Sequence, residues 1–75
     1  MSIGQAIREH RKGMHMTQAE LADRLGSSQK VISKYERDAC HPPIDTVAAM
    51  AHIFGIAIDD LVYPVQELYS QQHCD

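Results

Sequence analysis

The run from Thr17 to Arg37, TQAELADRLGSSQKVISKYER, leaves its backbone few choices. Thr17 followed by Glu20 is a capping box: the hydroxyl accepts an orphan amide of the first helical turn and the carboxylate reaches back to the cap. The pattern predicts a helix that starts at Gln18 and turns Leu21, Ala22 and Leu25 inward. Gly26 ends it, because a glycine enters the left-handed turn that closes a helix without steric cost. Ser27 or Ser28 then caps a second short helix, with Ile32 and Tyr35 inward and Gln29, Lys30, Ser33 and Lys34 outward. Two short helices around a glycine turn, spanning about residues 18–37, make the smallest unit that can set one helix across another.

The remaining chain extends the helical reading in both directions. Ile3, Ile7 and Met14, with Arg11 on the same stripe, suit a first helix that ends near Gly13. After a loop from Arg37 to Pro43, a fourth helix carries Ile44, Val47, Met50, Ala51 and Phe54 on one face and stops at Gly55. Ile56, Ile58, Leu61 and Val62 surround the acidic pair Asp59–Asp60, which favours the positive end of a short fifth helix. Pro64 closes that segment, and residues 64–75 form a tail in which Val65, Leu68 and Tyr69 suit one more amphipathic turn. No strand pattern and no internal repeat is present. The expectation is one all-α domain of five helices over residues 1–75.

Charge is distributed unevenly. The formal net charge of the 75 residues is −3, yet all seven Lys and Arg lie in the first 37 positions. Arg8, Arg11, Lys12, Arg24, Lys30, Lys34 and Arg37 face four carboxylates there, a balance of +3; from Asp38 onward six carboxylates meet no Lys or Arg, a balance of −6. A basic half of this kind can approach a polyanion.

Composition excludes other classes. No apolar run approaches the ~20 residues of a membrane span, and the N-terminus lacks the apolar core of a signal peptide, so the expected compartment is the cytoplasm and no membrane is involved. Cys40 and Cys74 show no framework spacing and read as free thiols of a reducing cell. The five histidines (His10, His15, His41, His52 and His73) lack metal-ligand spacing. No phosphate-binding glycine loop, Cys-x-x-Cys pair or clustered carboxylate site occurs, so no catalytic residue, metal or cofactor is assigned.

At Met16-Thr17-Gln18, Glu20-Leu21-Ala22, Leu25-Gly26, Ser28-Gln29, Ile32-Ser33-Lys34-Tyr35-Glu36-Arg37, Pro42 and Asp59-Asp60-Leu61, the sequence resembles the Cro and phage-repressor (XRE-type) helix-turn-helix regulators. The resemblance covers about Ile7 to Leu61. It implies a compact five-helix domain, usually dimeric, that binds operator DNA and most often represses transcription. Gln18 matches the residue that in this family meets a phosphate and braces the reading helix. Ser28, Gln29, Lys30 and Lys34 match positions facing bases or nearby phosphates, and Ser33 and Arg37 complete the candidate DNA-binding set. Arg11 and Glu36 match an ion pair between the first and third helices. The chain departs from the pattern at Asp38, where glycine is common, at Ser27, Pro43 and Ala57, and in a loop without lysines.

Side-chain chemistry agrees independently. A Gln amide donates to and accepts from the adenine N6/N7 edge, and Lys donates to guanine O6/N7; Lys30 and Lys34 serve equally well as phosphate contacts, which fix register and read no sequence. One reading helix covers only a few base pairs, so two copies side by side in successive major grooves of a palindromic operator are expected. Ile56, Ile58, Val62, Tyr63, Val65, Leu68 and Tyr69 supply the apolar surface for such a homodimer, or else an intramolecular lid. A chain of this length suggests control by its own concentration, a partner or degradation. The competing class is a protein-interaction module on the same fold, an antitoxin bound to its toxin for example, with weak or no operator binding.

Overall fold

The computed structural model describes residues 2–62, which form five helices and no strand: α1 (Ile3–Gly13), α2 (Gln18–Leu25), α3 (Gln29–Glu36), α4 (Ile44–Phe54) and α5 (Ile58–Val62). The tail and four of the expected interface residues, Tyr63, Val65, Leu68 and Tyr69, lie outside the described residues, as does Cys74.

Local signals set the boundaries. Ser2 caps α1 by accepting the Gln5 N–H at 3.1 Å, and Arg11 and Lys12 occupy the last turn, where cations suit the negative helix end. The capping box of α2 is complete: Thr17 Oγ1 accepts from Glu20 N at 3.0 Å and Glu20 Oε1 from Thr17 N at 2.8 Å. Ser28, not Ser27, caps α3, accepting from Val31 N at 3.3 Å. Gly26 and Gly55 end α2 and α4 at φ of 67° and 71°. Pro43 gives α4 no side-chain cap, and its carbonyl accepts the first helical N–H, that of Val47, as at the other helix starts.

Ile7, Leu21, Ile32, Met50 and Leu61, one from each helix, are wholly withdrawn from water and form the centre of the core. Burying each contributes about 1.5–3 kcal/mol. Ala6, Met16, Ala22 and Val47 complete the core cluster, and the small Ala22 lets α2 and α3 pack closely.

Two residues read as inward are not. Met14 is 44% exposed, because the chain passes the end of α1 there and turns through a left-handed His15 (φ 56°), which delivers Met16 to the core instead. Ile44 is 71% exposed: helical side chains lean toward the N-terminus, so that of a first-turn residue projects past the helix end. Phe54 is half-buried and stacks on His10, ring centroids 5.6 Å apart.

Candidate nucleic-acid interface

The α3 helix is held from below and presents its other side to solvent. With Ile32 at its buried pole, Lys30 and Lys34 stand within about 20° of the opposite direction and Arg37 within about 40°, given 3.6 residues per turn. Gln29 and Lys30 are exposed at the start of the helix, and Ser33 and Lys34 are half-buried along it. The outer stripe of α3 is therefore cationic, with a neutral hydrogen-bonding residue, Gln29, at its leading end.

Along α3, three of the expected contact residues, Ser28, Ser33 and Arg37, already have protein partners. The Ser28 hydroxyl is engaged in the cap, and Ser33 Oγ accepts from Arg37 Nε at 3.4 Å. The second contact aims the guanidinium along the helix, and its other N–H groups remain free to donate outward.

Beneath this stripe lies an ionic cluster. Arg11 of α1 donates through Nε to Glu36 Oε2 at 2.7 Å and through Nη2 to Oε1 at 3.2 Å. Its Nη1 donates to the Met16 carbonyl at 2.7 Å. Gln18 Nε2 donates to the same Glu36 Oε1 at 3.0 Å. Arg11, Gln18 and Glu36 thus tie α1, α2 and α3 together at one carboxylate. Gln18 is braced against α3 through Glu36, and its amide oxygen and second N–H stay available at the α2 amino end. No buried side-chain nitrogen or oxygen among the described residues lacks a partner.

Asp38 solves the problem its charge poses. It adopts a left-handed φ of 60°, and its Oδ1 accepts from Gly4 N at 3.0 Å. The carboxylate points to the amino end of α1. Sequence reasoning missed this contact and the left-handed His15; no local pattern links residues 34 positions apart.

Of the residues expected at a dimer contact, Ile56 and Val62 are half-buried against the core and Ile58 is 39% exposed. Cys40 is an exposed free thiol. Among the described residues no group of three His, Cys, Asp or Glu side chains comes together to hold a metal, and no helix is long and apolar enough to cross a membrane.

The chain is similar to known proteins. The chain is 34% identical over 62 residues to the immunity repressor protein of Bacillus phage phi105, covering 83% of this chain and 43% of the relative. It is 32% identical to the HTH-type transcriptional regulator ImmR of Bacillus subtilis (strain 168), with 83% and 49% covered. The chain therefore spans about half the length of these relatives or less. In structure it is similar to the P22 c2 repressor in complex with synthetic operator 9T in the presence of Tl+, with a TM-score of 0.78, 29% identity, and 83% of this chain and 94% of that one covered. Residues 7–61 match the family described as Helix-turn-helix, and with five helices packed as in a repressor domain the chain belongs to that family.

Proposed function

We propose that the chain binds double-stranded DNA sequence-specifically and regulates transcription in the cytoplasm, acting as a small repressor that seats a homodimer on a palindromic operator. One observation carries this reading: α3 is fixed by a buried carboxylate cluster on its inner side while Lys30, Lys34 and Arg37 line its outer side, led by Gln29. In the major groove Gln29 pairs with an adenine edge, while Lys30 and Lys34 meet guanine or flanking phosphates. Ser28, Ser33 and Arg37 contact the backbone beside them. Gln18, at the amino end of α2, meets the phosphate that fixes the register of α3. Ile56, the exposed Ile58 and Val62, with Tyr63, Val65, Leu68 and Tyr69 outside the described residues, are the candidates for the contact that spaces two reading helices about 34 Å apart.

The test is selection of bound duplexes from a random pool, coupled to sedimentation of the protein with and without the winning sequence. An enriched palindrome and a dimer on it are expected. A protein that enriches no sequence at low salt does not bind an operator, and a partner-binding role would then replace this one.

A further inference from the structure

The first-turn amides of α1 are shared between a near residue and a distant one. The Gln5 N–H goes to the Ser2 hydroxyl, while the Gly4 N–H goes to Asp38 Oδ1 at 3.0 Å, from beyond the end of α3. A carboxylate at that place also meets the positive end of the helix. Asp38 takes up the position only from a left-handed backbone, φ 60°, which Asp and Asn tolerate better than other side chains. Gly4 is equally constrained. It is buried, and a Cβ there would lie 2.4 Å from the Tyr35 carbonyl oxygen and 2.8 Å from that of Glu36. The amino end of α1 therefore presses against the carboxyl end of α3, backbone on backbone. Arg11, about two turns further along α1, holds the same end of α3 through Glu36. Two attachments on one helix define an angle where a single one leaves a hinge.

Resting on the proposed DNA-reading role of α3, we propose that Asp38 is a positioning residue for recognition. Its carboxylate, seated on the Gly4 N–H, sets the angle between α1 and α3 and so the fit of Gln29, Lys30 and Lys34 to a base sequence. It makes no contact with DNA; although the residue is exposed, its bond to the Gly4 N–H holds the carboxylate against the amino end of α1. Discrimination between sequences depends on it more than stability does: replacement by glycine removes the hydrogen bond and the left-handed strain together.

The experiment compares Asp38→Gly and Asp38→Asn with the wild type in two readouts. One is hydrogen exchange of the Gly4 amide without DNA; the other is the ratio of affinities for a selected duplex and a scrambled one. Asp38→Asn keeps an acceptor and the left-handed turn, so slow exchange and the wild-type ratio are expected. Asp38→Gly should speed Gly4 exchange by about tenfold or more and lower the affinity ratio about tenfold, with only a small change in Tm, since relief of the left-handed strain offsets the lost hydrogen bond and the added freedom of the unfolded chain. Equal Gly4 exchange in wild type and Asp38→Gly would overturn the contact without reference to DNA. An altered exchange with an intact ratio would make the role structural only, and equal gains in both affinities for both variants would reduce it to charge repulsion. A wild type that discriminates no sequence would sink the DNA reading, and this role with it; failure confined to the variants would sink this role alone.

Discussion

Arg11 Nε and Glu36 Oε2 lie 2.7 Å apart with their side chains only 10% and 4% exposed, so the pair joins α1 to α3 out of reach of water. Removing either partner strands the other charge in the core, at a cost of about 3–5 kcal/mol. Glu36→Ala also leaves Gln18 Nε2 without its acceptor, and Arg11→Ala frees the Met16 carbonyl. Urea unfolding should place both variants far below wild type, whereas replacing the pair together by Met and Leu should cost much less. Single variants that unfold at the wild-type midpoint would show that the pair contributes nothing.

The same pair marks how far the sequence could be read. Elements whose signals are local emerged correctly: the capping box at Thr17, the glycine stops at Gly26 and Gly55, and the inward Leu21, Ile32, Val47 and Met50. Arg11 and Glu36 were legible only through the family resemblance, since residues 25 apart share no pattern. Met14 and Ile44 were misread because periodicity assumes an uninterrupted helix, while each sits at a helix end where the backbone or the lean of the side chain changes its direction. The Gly4–Asp38 contact left no trace in the sequence beyond an aspartate where glycine is common.

Acid should weaken α2 through Glu20. The Thr17 backbone N–H, and then the Thr17 side chain, hold its carboxyl below the ordinary value; slight desolvation opposes this and Arg24 adds to it. A lowered folded-state pKa means the stabilisation is complete above the unfolded value and is lost as pH falls through the folded one. Glu20→Gln can still close the capping box without titrating. Unfolding midpoints measured from pH 6 downward should converge between wild type and Glu20→Gln in the acid range; curves that stay parallel throughout would contradict the assignment.

His15 sits at φ 56° between α1 and α2, a conformation that costs a residue with a Cβ about 1–2 kcal/mol. Glycine relieves that cost but adds disorder to the unfolded chain worth about 0.4–1 kcal/mol. His15→Gly should therefore raise Tm modestly, with a net gain of about 0.5–1 kcal/mol. A lower Tm would mean that the imidazole makes a contact that outweighs the strain.

Lys34 lies near the pole of α3 opposite Ile32, so Lys34→Ala separates two kinds of DNA contact. If the ammonium meets a guanine, binding should weaken by about 1–3 kcal/mol with preference relaxed at one base pair. If it meets a phosphate, affinity should fall uniformly and the slope of log K against log salt should drop by about 1. Binding unchanged in both respects would place Lys34 off the interface.

Gln29 tests whether α3 reads base sequence with the least disturbance, because it is exposed and makes no side-chain hydrogen bond within the described residues. The measurement is a titration of wild type and Gln29→Ala against a selected duplex and a scrambled duplex of equal length and charge. Wild type should prefer the selected duplex, and Gln29→Ala should lose about 1–3 kcal/mol on it while binding the scrambled duplex as wild type does. Equal wild-type affinity for the two duplexes, or an equal loss on both in the variant, would contradict a sequence-reading α3.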